Sequence, residues 1–222
     1  MEFIFVGILK SLGLKHRKNV SHIHVKNWTY WHGTNVDLSG LEQLFNHLKT
    51  ELGEAKALEL FAAMQEAVTN VIHHAYIEDR GDGIAINEKG WWLFAEHVGG
   101  KVYLSVCDLG VGIRKTLPVN SPWHKNVIRS LISTFGGNPK YDSNHIKAAV
   151  ELGATRTNEE NRGKGLSEMR DVVINSQIGN LRIYSDRGLY SVNHEKKEIL
   201  KEYSSSIKGT IIQWSFEPNT AL

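Results

Sequence analysis

The chain has 222 residues, 41% of them apolar and 23% charged, and 26 basic against 24 acidic side chains leave a formal net charge of +2. That length and composition suit one domain with a sizeable core, while charges of both signs mixed along the chain exclude the basic stripe of a nucleic-acid binder and the polybasic tail of a membrane-surface protein. The single cysteine, Cys107, excludes an intrachain disulfide and a cysteine-based zinc cluster; within its apolar run it reads as a small core residue, and a cytoplasmic location is expected.

From the N-terminus, Phe3 to Leu9 is the one apolar stretch resembling a targeting segment. It is too short to span a bilayer and has no basic leader or cleavage site, so no membrane span is expected. In Ser21 to Trp28, Ile23 and Val25 alternate with His22 and His24, the period of a strand with one buried face. The two imidazoles have no third ligand nearby and read as the exposed face of an edge strand rather than a zinc site. Residues 1–40 are expected to form an N-terminal extension. Asp37 or Ser39 can cap an amphipathic helix through Leu41, Leu44, Phe45, Leu48 and Leu52, which Gly53 ends.

A second helix follows, and its segment Gln65 to Tyr76 (QEAVTNVIHHAY) carries a carboxylate, a carboxamide and two imidazoles. Residues three and four apart share a helix face, so Glu66, Asn70 and His73 form one polar line. Leu58, Phe61, Gln65, Val68 and Ile72 form a mostly apolar line, expected to be buried. Glu66, Asn70 and His73 then stand at the rim of the core. A carboxylate there can orient a water for attack, and an amide oxygen can hold a hard cation such as Mg²⁺. A Glu and an Asn one turn apart are also common on solvated helix faces.

Glu78 to Gly83 reads as a loop, and the apolar runs Trp91 to His97 and Val102 to Cys107 form a hairpin whose adjacent Trp91 and Trp92 point to opposite faces. The second run delivers Asp108 into a glycine-rich turn, DLGVGI, where Gly110 and Gly112 permit close approach of backbone to a ligand; an ordinary strand exit has the same look. Helices are expected at about 125–135 and 145–153, inside a polar, glycine-containing stretch, 118–162, that suits a mobile lid; Arg156 and Arg162 in it could meet phosphate. Gly163 to Leu166 (GKGL) opens a helix through Met169, Val172 and Val173. Free N–H groups there make a seat for phosphate, although the spacing is not that of a Walker loop. Strands are expected at Asn180 to Ser185, Leu189 to Asn193 and Thr210 to Phe216.

EAVTN on a helix, DLGVGI after a strand, GKGL opening a helix and GT before a last strand, in that order, resemble the GHKL (histidine-kinase-like) ATPase superfamily over about Leu41 to Phe216. EAVTNVIHHAY is most similar to the anti-sigma-factor serine kinases. The resemblance implies the Bergerat ATP-binding fold for 41–222: an α/β (α+β) two-layer sandwich with a mixed, mostly antiparallel sheet, helices on one face, and nucleotide between helices and lid. It implies that Asn70 binds Mg²⁺ and that Glu66 is the catalytic base. Asp108 would accept a hydrogen bond from the adenine amino group, with Thr210 beside it and Gly110 and Gly112 lying close. Gly163, Lys164 and Gly165 would meet phosphate. His73 stands where many histidine kinases carry Lys or Arg, so any phosphate contact there would depend on pH. The implied function is ATP-dependent phosphoryl transfer to Ser or Thr of a small regulatory partner, STAS-like, with a homodimer possible. The alternatives are a non-catalytic switch gated by ATP and ADP, or an ATP hydrolase. No room is expected before the first helix for the phosphoacceptor hairpin of a complete sensor kinase.

Overall fold

The computed structural model describes residues 29–80, 89–117, 122–155, 165–177 and 179–217. The strand expected at Ser21 to Trp28 lies outside them; a strand, β1 (Thr29–Gly33), follows directly.

Helix α1 (Glu42–Leu52) buries Leu44, Leu48 and Leu52, spaced at one turn, and presents its other face to solvent. Asp37 accepts a hydrogen bond from the Ser39 N–H at 2.9 Å, but it fixes a 3₁₀ turn (Ser39–Leu41) in front of the helix rather than capping α1 itself. Gly53, at φ +84°, donates its N–H to the Lys49 carbonyl at 3.0 Å, ending α1 and starting α2 (Glu54–Asn70) in one residue. A side chain would strain that backbone.

The buried face of α2 is not the line expected. Ala57, Leu60, Met64, Ala67 and Val71 go into the core with Ala63 and Val68, while Leu58 is 54% exposed and Gln65 is exposed. Three alanines carry the buried stripe, so the phase drawn through the larger Leu58 and Phe61 is displaced by about one position. Small side chains let α2 lie close to its neighbours. After Asn70 the helix widens into a single π-helical turn, Val71–Ala75.

Strands β2 (Trp91–Val98) and β3 (Lys101–Asp108) form the expected hairpin, with Gly99 and Gly100 at positive φ in its turn. A short helix, α3 (Ile113–Thr116), leaves the end of β3, followed by α4 (Pro122–Thr134), α5 (Asp142–Thr155) and α6 (Gly165–Ser176). Strands β4 (Asn180–Ser185), β5 (Gly188–Asn193), β6 (Glu198–Glu202) and β7 (Thr210–Phe216) complete the described chain. The seven strands form one sheet in the order β1-β2-β3-β7-β4-β5-β6. Every pairing is antiparallel, so the sheet is not mixed. The architecture is α+β.

The main core lies between the helices and one face of the sheet: Trp91, Leu93, Leu104, Ile183, Tyr190 and Trp214 meet the buried stripes of α1, α2, α5 and α6. Trp92, Phe94 and Cys107 form a small cluster on the opposite face, so the two adjacent tryptophans do divide between faces, and Cys107 is a core residue whose thiol burial holds well above its usual range. Trp214, fully buried, donates its indole N–H to the Met169 carbonyl at 3.1 Å and joins the central strand to α6.

The stretch expected as a lid does not behave as one unit. Ile146, Ala149 and Val150 of α5 are in the main core, and its opposite side, Ala148 and Leu152, packs against Ile128 and Ile132 of α4. The Glu202 carboxylate accepts from the Asp142 and Ser143 N–H groups at 3.1 and 3.0 Å, and Asp142 pairs with Arg114 at 3.1 Å. Buried on two sides and tied at its N-terminus, α5 belongs to the helical layer. Arg156 and Arg162 lie outside the described residues. No helix among the described residues is long and apolar enough to cross a membrane.

Candidate functional site

Glu66 and Asn70 lie one turn apart near the end of α2, half-buried, and the Asn70 amide nitrogen donates to a Glu66 oxygen at 3.3 Å. That bond leaves the Asn70 amide oxygen as the end available to a cation. Gly165, the first residue of α6, is buried directly against this pair, and a Cβ there would run into the Glu66 carboxylate. Glycine at that point is therefore a packing requirement: it lets the N-terminus of α6 reach the Glu66 side chain. Burial raises the pKa of Glu66, the like charge of Glu168 one turn into α6 adds to it, and the Asn70 hydrogen bond and His73 oppose it. His73 and His74 are exposed on the π turn, with ring centroids 6.1 Å apart. Partial desolvation of its ring against the neighbouring chain, and secondarily the charge of His73, lowers the pKa of His74.

The second half of the site is built on Asp108 at the buried end of β3. One oxygen of its carboxylate accepts from the Gly110 N–H at 2.8 Å and the Thr210 N–H at 3.2 Å. Burial raises its pKa to about 6, against the opposing effect of those N–H groups and the Thr210 hydroxyl. The Thr210 hydroxyl lies 3.4 Å from that of Ser185, which accepts from the Ile113 N–H at 2.8 Å. Asp108, Thr210 and Ser185 are thus the ends of three strands joined by one polar chain. Gly112, at φ +82°, packs against Ser185 and Asp186 where a side chain would not fit.

The π turn connects the halves. Its Ala75 carbonyl accepts from the Val111 N–H at 2.8 Å, and Gly110 passes so close that a Cβ would collide with that carbonyl. Tyr76, next in sequence, donates its hydroxyl to the Gly90 carbonyl at 2.6 Å and accepts from the Leu109 N–H at 3.2 Å. Arg80 donates to the Leu109 carbonyl at 3.3 Å. Helix α2, the π turn and the loop after β3 therefore form one hydrogen-bonded wall, with Glu66 and Asn70 on one part and Asp108 on the other.

Of the residues singled out in sequence, Glu66, Asn70 and Gly165 come together in one cluster and Asp108, Gly110, Gly112 and Thr210 in the other, with His73 exposed between them. Gly163 and Lys164 lie outside the described residues. Sequence reading missed Ser185, Tyr76 and Glu168. Ser185 had only its place at a strand end to mark it, and Tyr76 only its place after the histidine pair. No protein-family model matches the chain, and no curated protein matches it either.

Proposed function

We propose that the protein binds Mg-ATP in the manner of a GHKL ATPase, with a Bergerat-type fold, and transfers the γ-phosphate to a Ser or Thr of a partner regulatory protein, STAS-like in kind. The observation that carries this reading is the buried Asp108 carboxylate, held by the glycine turn and Thr210 and linked through the π turn to Glu66 and Asn70. A carboxylate kept at a strand end by backbone donors suits recognition of an exocyclic amino group, and glycines packed as tightly as Gly110 and Gly112 suit a flat base lying against backbone.

The residues present fit Mg²⁺ and phosphate. The Asn70 amide oxygen is a hard neutral ligand, and the ion would supply charge neutralisation to the phosphates. Gly165 at the start of α6 offers the positive end of a helix dipole beside them. Glu66 is the base: half-buried, with its pKa raised by desolvation and Glu168, it is nearer the working pH than an exposed carboxylate and holds a proton better in the transition state. His73 is exposed one turn on from Asn70 and is free to approach a phosphate.

Titration calorimetry with Mg-ATP tests the pocket. Wild type should bind ATP and ADP, and Asp108→Ala should lose roughly 1.5–3 kcal/mol of ATP affinity, since a charge-assisted hydrogen bond is removed; unchanged affinity would show the pocket to be wrongly placed. Glu66→Gln tests the chemistry. It should bind nucleotide normally while phosphate transfer or release, measured at saturating Mg-ATP with the copurifying partner, falls by roughly 10² to 10⁴. Equal rates would remove Glu66 from catalysis, and nucleotide binding with no turnover even in wild type would make the protein an ATP/ADP-gated binding switch.

A further inference from the structure

The β2–β3 hairpin turn lies at the far end of β2 from Asp108. His97 is six residues along β2 from Trp91, the partner of Asp108 in the register, or roughly 20 Å at the rise of a strand. Trp91, Leu93 and Ala95 point into the helix-facing core, and the period of two places His97 on that same face, where it meets α1. There His47 and Glu51, one helical turn apart, share a face of α1. Ligand atoms of His47, Glu51 and His97 all lie within 4.8 Å of one another, and the two imidazole centroids are 6.2 Å apart.

We propose that His47, Glu51 and His97 bind a divalent transition metal of the zinc class. Two imidazole nitrogens and one carboxylate are a sufficient donor set for a three-ligand zinc site with a fourth position open. Ligand atoms around a tetrahedral zinc with bonds of about 2.0–2.1 Å are roughly 3.3 Å apart, so closing the triad needs movements of about an ångström, which the exposed His47 and His97 and the half-buried Glu51 make by small side-chain rotations. The backbones that carry them are anchored in the core. His47 adjoins Leu48, which is completely buried, and His97 is in register with Val102, also buried. A cleft of about 330 Å³, lined by His47, His97, Gln43, Thr29 and Trp31 among others, opens beside the triad. It gives the open position a path to solvent or to a small ligand. Bound metal would clip α1 to the hairpin, away from the proposed nucleotide site and independent of it.

The test is calorimetric titration of the metal-stripped full chain with Zn²⁺, and visible absorption with Co²⁺ as a probe of four-coordinate geometry. Wild type should take up one equivalent with a four-coordinate cobalt band. His97→Ala and Glu51→Gln should each weaken that equivalent by roughly 100-fold or more, since loss of an outer-shell partner alone costs 10–100-fold. Removing the histidine pair of the π turn, as His73→Ala with His74→Ala, should leave it intact. Should His97→Ala fail to fold by circular dichroism, His97→Gln keeps the size and polarity of the side chain and serves in its place. Zinc uptake unchanged in the His97 and Glu51 variants, lost only with His73 and His74, or absent from wild type would each overturn the proposal.

Discussion

Asp108 is ionised at neutral pH against the pull of its surroundings. Its pKa stands at about 6 in the folded protein and near 3.9 in an unfolded chain, so between those values the folded state holds a proton that the unfolded state has lost. Stability therefore falls as pH rises through that window, and the penalty, roughly 3 kcal/mol, is complete above pH 6. Asp108→Asn keeps an oxygen for the Gly110 and Thr210 N–H groups and removes the charge. It should melt higher than wild type at pH 7.5, with the gap closing as the pH approaches 4, and should bind ATP more weakly. A lower melting temperature at pH 7.5 would mean that the surrounding dipoles outweigh desolvation. On the proposed nucleotide reading, ATP affinity of the wild type should itself decline as pH drops below 6.

Among the secondary-structure elements, the π turn has the most to hold together, since it joins the helix of Glu66 and Asn70 to the loop after β3. Gly110→Ala forces a methyl against the Ala75 carbonyl, which is backbone and cannot swing away, and it should cost about 1–3 kcal/mol. Gly40→Ala, with open space around it, should leave the unfolding free energy within about 0.5 kcal/mol of wild type. Equal effects of the two would deny the close approach of turn and loop. The turn was invisible to sequence reading because a search at 3.6 residues per turn has no place for one wider turn. Strand β6 escaped for another reason: Glu198-Ile-Leu-Lys-Glu is an edge strand with Ile199 and Leu200 largely exposed, so it lacks the alternation that marks β2, β3 and β7. The candidate site was legible where chemistry depends on residue type and short spacing, as with Glu66, Asn70 and Asp108. It was illegible where partners are brought by the fold, as Ser185 is to Ile113 across 72 residues.

Across the whole molecule, β7 stands between β3 and β4, with three strands on either side of it. It buries Ile212, Trp214 and Phe216 in the main core. At roughly 1.5–3 kcal/mol for each such side chain, these three approach the net stability of an ordinary domain, about 5–15 kcal/mol. A chain truncated before Gly209 should lose cooperative melting and near-ultraviolet circular dichroism altogether, whereas removal of the exposed side chains of Ile199 and Leu200 on β6 should not. Retention of a cooperative transition in the truncated chain would show that β1–β3 or β4–β6 folds alone.

The position of β7 also orders events during synthesis. The strands on both sides of it emerge first, as two antiparallel sets with facing edges that have no partner until Thr210 to Phe216 arrives. A nascent chain therefore carries an open β3 edge from Asp108 onward and a second open edge at β4 from Ser185 onward, and both are exposed to mispairing until Thr210 to Phe216 is made.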